Sequence, residues 1–167
     1  MATPPGLVPV ENIFLAFPGY NCFVCSPLHP FGFRLEFFAD PARGLVVAPL
    51  TAREDLAGYP GILHGGFQTM LMDEVAGWAI LHQARRIVFT GAIQARFLRP
   101  MPNGVPALVC ARTEKAGSRL IKASAWIEVA GERKAEAEGS FYSPTVPEFA
   151  AATGADPVPE RYLPYLR

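Results

Sequence analysis

Two carboxylates stand alone in an apolar stretch. Between Asp55 and Arg85 the only acidic or basic residues are Asp73 and Glu74, and an ionised carboxylate buried without a partner costs several kcal/mol. Each needs a reason: a structural acid bonded to backbone or to arginines, or a catalytic carboxylate facing a cleft. The same stretch opens with His64-Gly65-Gly66. The first turn of a helix carries N–H groups with no internal partner at the positive end of its dipole, and glycines let another molecule approach them. Gly65 and Gly66 therefore make either an oxyanion or anion site or a tight strand-to-helix turn. Asp73 follows His64 by nine residues, roughly 13 Å along a helix at ~1.5 Å per residue, so one chain does not carry it back to its own helix start. A symmetric dimer would supply it from the other subunit.

A third group, Cys22-x-x-Cys25, invites a zinc or redox reading. A tetrahedral site needs four ligands, and only Cys110 and His29 offer themselves to complete it. Packed, reduced thiols are the expectation, with no metal and no cofactor assigned. Three cysteines in all argue against a secreted disulfide framework and for a reducing, cytoplasmic setting.

The 167 residues are 50% hydrophobic and 18% charged, with 15 basic against 15 acidic side chains, which describes one domain with a core of its own. Zero net charge and no run of three basic residues exclude a nucleic-acid partner and an anionic membrane surface. The start lacks a basic region, and Pro9, Glu11 and Pro18 interrupt the apolar stretch after it, so no signal peptide is expected. The longest apolar segment, within 67–81, carries Asp73 and Glu74 and falls short of the ~20 residues of a membrane span. No GxSxG elbow is present, which disfavours a serine hydrolase.

Positioning these residues takes a helix and a sheet. Apolar side chains occur all round the wheel from Phe67 to Leu81, the mark of a buried helix that something must wrap. Taking Phe67, Leu71 and Trp78 as its sheet-facing side puts Glu74 within that side, as a hydrogen-bonded structural acid, and Asp73 well off it. Period-two alternation predicts strands over 33–37 and 45–50, then over 86–98, 105–114, 119–129 and 134–141, with turns at Asn103-Gly104, Gly117-Ser118 and Ala130-Gly131. The inward side of the last strand, Ala135, Ala137 and Gly139, is small, as if something bulky lay against it. Residues 1–31 read as an accessory segment around Ile13–Phe17 and 32–143 as the folded unit. Prolines at 144, 147, 157, 159 and 164 forbid regular structure in a tail over 144–167. The class is α+β, with an antiparallel sheet wrapped around a central hydrophobic helix.

The run His64-Gly65-Gly66-Phe67-Gln68-Thr69-Met70-Leu71-Met72-Asp73-Glu74-Val75-Ala76-Gly77, followed by Val88-Phe89-Thr90-Gly91 and Phe97-Leu98-Arg99-Pro100, resembles the helix and next strand of the hotdog-fold thioesterases of the PaaI type. The likeness covers about residues 20–143. It implies a homodimer, or a dimer of dimers, whose sheets join edge to edge with acyl-CoA sites at the interface. By that resemblance, the Gly65 N–H polarises the thioester carbonyl and Asp73 of the other subunit is the nucleophile or general base. Thr90 orients the water. His64 shapes the helix start or touches the thioester; capping and packing is its alternative role. Gly66, Gly91 and the Gly117-Ser118-Arg119 hairpin are the expected substrate contacts, since a glycine turn beside a cation suits a CoA phosphate. Where many members carry Asn or Gln six residues before the histidine, this chain has Gly58. Two other readings stay open: a hotdog hydroxyacyl dehydratase or hydratase working through His64, and a non-catalytic acyl-CoA binding module.

Overall fold

The computed structural model describes residues 5–167. Seven strands form one antiparallel sheet in the order β1 (Val8–Pro9), β2 (Phe38–Asp40), β3 (Leu45–Thr51), β7 (Pro106–Ala116), β8 (Leu120–Val129), β9 (Glu132–Tyr142), β6 (Phe89–Phe97). The short strands β4 (Ala57–Tyr59) and β5 (Ile62–Leu63) pair separately, just ahead of helix α1, Gly65–Ala84. That helix packs against β3, β6, β7, β8 and β9. Leu71, Met72, Val75, Ala79 and Ile80 are fully buried, which is why its sequence shows no polar face.

On the small inward side of β9, the glycine has its explanation in Phe141. The ring lies over Gly139, where an added Cβ would stand 2.4 Å from a ring carbon. Gly139→Ala is therefore expected to destabilise by about 1–3 kcal/mol through overpacking, read as a lower urea midpoint with an unchanged slope.

The face assigned to Phe67 and Trp78 needs correction. Phe67 stacks on Phe23 and meets Phe33 edge-on, and Trp78 stacks on Phe37 at 4.4 Å and meets Phe14 edge-on. Both belong to the side covered by residues 13–37, not by the sheet. Ile13, Val24, Cys25, Leu35 and Phe37 are buried in the main core. Residues 33–37 keep the expected alternation of buried and exposed side chains without being a strand. The N–H groups of Phe33 and Leu35 donate to Phe23 O and Val24 O, and Arg34 has φ +54°, so the chain pairs with the Cys22–Cys25 turn.

The strand foreseen over 86–98 starts later, at Phe89. Arg85 ends α1 in the left-handed region, and the Ile87 N–H donates to Tyr165 O instead of to a strand. The proline-rich tail is also more regular than expected. Helix α2, Val146–Thr153, holds Pro147 in its first turn, where the missing N–H would have no helical partner, and Thr145 with Glu148 forms a capping box. A 3-10 turn at Glu160–Tyr165 follows. Tyr162 donates its O–H to Ile13 O at 3.1 Å and stacks on Phe14, so the two arms meet over the helix. No helix among the described residues is long and apolar enough to cross a membrane.

Candidate active site

At the start of α1, His64 has extended geometry and its Nδ1 accepts the Gly66 N–H at 2.9 Å, making it the N-cap. The Phe67 and Gln68 N–H groups both turn to His64 O. Of this first turn, only the Gly65 N–H has no partner among the described residues. The sequence offered both glycines as donors; Gly66 is already engaged. A side chain at Gly58 would meet His64 Cδ2 at 3.0 Å, so the imidazole fills the room that an amide at position 58 would need. Around this helix start lies an open cleft of about 580 Å³ bounded by Gly58, His64, Gly65, Gln68, Phe97 and Arg99 among others.

Gln68 is a member of this wall that sequence reasoning missed. It is 4% exposed; its Nε2 donates to Leu63 O and its Oε1 has no partner. A glutamine inside an otherwise apolar helix run was the available signal.

Asp73 lies two turns further along α1, in a separate pocket of about 160 Å³ lined by Phe14, Glu74, Gly77, Trp78, Arg86 and Thr90 among others. Its Oδ1 accepts the Thr90 O–H at 2.9 Å. Burial pushes the Asp73 carboxyl above its usual range, and the Thr90 hydrogen bond opposes that rise. Arg86, half-buried in the same lining, was not singled out from the sequence; its Nη1 donates to Leu166 O.

The neighbouring acid has a different life. Glu74 Oε1 accepts the Trp78 indole N–H at 2.9 Å and stands 3.6 Å from Cys22 Sγ. The ligands suggested by sequence for the Cys22-x-x-Cys25 pair do not join it. Cys110 sits in a second cluster with Trp126 and Leu45, and the His29 ring meets Phe23 while its Nδ1 accepts the Phe31 N–H.

Strand β6 connects the two pockets. At one end Thr90 holds Asp73; at the other the Phe97 ring lies against Gly65, 3.2 Å from where a Cβ would be. Gly91 is the residue bulged out between Thr90, paired with Phe141, and Ala92, paired with Ser140. The Gly117-Ser118-Arg119 hairpin projects from the same end of the sheet as Thr90, since Leu120 pairs with Tyr142 and Tyr142 with Phe89. Arg119 itself is ion-paired to Glu148 at 2.7 Å.

One long antiparallel sheet around one central helix, with a glycine-lined helix start, is the hotdog fold. Residues 60–136 match the family model of the thioesterase superfamily, and the likeness to PaaI-type hotdog thioesterases read from the sequence holds in the structure. The chain is similar to a solved thioesterase superfamily protein at 24% identity and TM-score 0.67, covering 73% of this chain and 60% of that one. It spans less than two thirds of that protein's length. Zebrafish thioesterase superfamily member 2 aligns at 21% identity and TM-score 0.61, over 70% of this chain and 87% of that one. A variant of the phenylacetic acid degradation protein PaaI from Thermus thermophilus aligns at 21% and TM-score 0.53, over 59% and 84%. No curated protein matches the chain.

Proposed function

We propose that the protein is an acyl-CoA thioesterase, cleaving the thioester to a free acid and CoA at a site built by two subunits. The observation that carries this reading is the edge strand β6, with the free Gly65 N–H at one end and the Asp73–Thr90 pair at the other. Thr90 and Phe97 are seven residues apart, about 24 Å at ~3.4 Å per residue. A two-fold axis near Ile93 and Gln94 lays two such strands antiparallel, and Thr90 of one then faces Phe97 of the other. The partner subunit's Asp73 arrives at Gly65, a distance that α1 denies it within one chain.

The edges of the sheet support that pairing. β1 is two residues long and ends in Pro9, a blunted edge. β6 is nine residues long, with Phe97 55% exposed and Leu98 after it 46% exposed. A long, partly apolar open edge calls for a partner strand, and a homodimer, with a dimer of dimers as its extension, supplies one.

The chemistry follows from the groups assembled. Water attacks the thioester carbonyl, its oxygen becomes an oxyanion, and the Gly65 N–H at the positive end of α1 meets it. Asp73, held by Thr90, takes the proton from that water or attacks the carbonyl itself; burial gives it the raised basicity that general-base work near neutral pH requires. His64, whose Nδ1 accepts the Gly66 N–H, carries its hydrogen on Nε2 when neutral. That makes it a donor to substrate oxygen, and weighs against the dehydratase reading, which needs the ring as a base. Gly91 and the Gly117-Ser118-Arg119 hairpin flank the Asp73 end, and we assign them to the CoA moiety. Residues 32–143 are then the hotdog unit, with 1–31 and 144–167 as arms, in a cytoplasmic protein.

A panel of acyl-CoAs varied in chain length and in aromatic acyl group, followed by release of free thiol, tests the reaction class. Sustained turnover of at least one ester is expected. Saturable binding of acyl-CoAs with no thiol released from any of them would instead make this a binding module.

A further inference from the structure

The Cys22–Cys25 turn packs into the core and anchors residues 33–35, but thioester chemistry has no use for its two thiols, and their surroundings are specific. The Cys25 N–H donates to Cys22 Sγ at 3.3 Å, and the Ser26 N–H closes the turn on Cys22 O at 3.0 Å. From α1, Glu74 reaches over so that both sulfurs and a Glu74 carboxylate oxygen lie within 4.8 Å of one another. Tyr20 Oη stands 2.7 Å from Cys25 Sγ and accepts from Asn12 Nδ2 at 3.0 Å, which leaves the phenol O–H for the sulfur. Among the described residues, no cationic side chain forms an ion pair with Glu74. Two thiols and a carboxylate thus converge without a positive charge.

We propose that Cys22 Sγ, Cys25 Sγ and the Glu74 carboxylate bind one divalent cation of the zinc type, with a water completing a tetrahedron. Two sulfurs and one oxygen suit a borderline-soft ion and not calcium or magnesium. Zinc distances of about 2.3 Å to sulfur and about 2.0 Å to oxygen set tetrahedral ligands about 3.5–3.8 Å apart. The 3.6 Å between Cys22 Sγ and Glu74 already meets this, and no gap in the cluster exceeds 4.8 Å. On binding, each thiol releases its proton to solvent and its sulfur lone pair goes to the metal; nothing is oxidised or reduced.

The Trp78 N–H on Glu74 Oε1 then acts as an outer support that fixes the carboxylate. The ion would rivet the N-terminal arm to α1 one residue away from Asp73, without being part of the thioester chemistry.

The test uses the whole chain, purified under reductant, stripped with a chelator and titrated with Zn²⁺ and with Co²⁺. Uptake of one ion per chain is expected, with proton release on calorimetry, a raised Tm, and thiolate-to-cobalt charge-transfer and tetrahedral ligand-field bands. Cys22→Ser and Glu74→Gln should each weaken uptake by at least about tenfold, whereas Cys110→Ser, in the other cluster, should leave it unchanged. Should Cys22→Ser not fold, alkylation of the wild-type chain decides: Zn²⁺ must protect Cys22 and Cys25. Three results would each overturn the proposal: no stoichiometric uptake, uptake insensitive to Cys22 and Glu74, or a Cys22–Cys25 disulfide in protein thiol-blocked at cell lysis.

Discussion

Asp73→Asn is expected to leave a folded protein whose kcat for acyl-CoA hydrolysis is lower by on the order of 100-fold or more. The replacement keeps the volume and an oxygen able to accept the Thr90 O–H, 2.9 Å away in the native pocket; what it removes is the negative charge to which the proposed chemistry assigns the proton transfer or the attack on carbon. The pH dependence has a definite sign. Because burial raises the Asp73 pKa, kcat/KM should climb with pH through that raised value, and the climb should vanish in the variant. Stability runs the other way. A carboxyl whose pKa is higher folded than unfolded contributes stability that is full below its unfolded value, near 3.8, and lost as pH rises through the folded one. Above that folded value the native chain bears a charged Asp73 that the fold resists. Asp73→Asn should melt higher than wild type at pH 7 and should lose that advantage in acid. Near-normal turnover by Asp73→Asn, together with loss of activity in a folded Glu74→Gln, would move the chemistry from Asp73 to Glu74.

Gly65→Pro addresses the other half of the site. Proline is tolerated at the first position of a helix, and His64 before it, at ψ 136°, already has the extended conformation a following proline demands. The Phe97 ring must shift by a few tenths of an ångström to admit the new Cβ. The one unpartnered N–H of the first turn disappears, with an expected loss of about 10²–10³ in kcat. Because Gly65 and Asp73 are assigned to different subunits of each site, two dead variants should rescue one another. In a heterodimer of Gly65→Pro and Asp73→Asn, one site carries both lesions and the other carries none. Random mixing after unfolding and refolding gives hybrids as about half of all dimers, and so about a quarter of wild-type activity. Recovery of no activity from verified heterodimers would place the whole site within one chain.

Much of this fold was legible because its sequence obeys simple periods. The apolar circumference from Phe67 to Leu81 announced a wrapped helix, and β7, β8 and β9 lie within a residue or two of where alternation placed them. The failures share a cause: groups whose partners are remote in sequence. Residues 33–37 alternate like a strand, but their N–H groups go to the Cys22–Cys25 turn. Trp78 looked like a sheet-facing residue because nothing local distinguishes a sheet from the aromatic rings of Phe14 and Phe37. The tail was misjudged by counting prolines without asking whether each sits where a helix can spare an N–H, as Pro147 does. At the candidate site, Asp73 and the His64-Gly65-Gly66 helix start stood out by type and spacing, whereas Thr90 came only with the family resemblance; the structure sets it against Asp73. The capture of the Gly66 N–H by His64 was not, since only the geometry of the turn decides which donor remains.

The hydrogen bond from Tyr162 to Ile13 O spans 149 residues of chain, and Phe14, stacked on that tyrosine, also forms part of the wall around Asp73. Synthesis proceeds from the N-terminus, so α1 and most of the sheet leave the ribosome well before residue 162 does. During that interval Phe14 has no Tyr162 to lie against, and the Asp73 pocket lacks its outer support. Until residue 162 emerges, a nascent chain can hold most of its sheet while the Asp73 carboxylate stays open to solvent on the side that Phe14 walls in the finished fold.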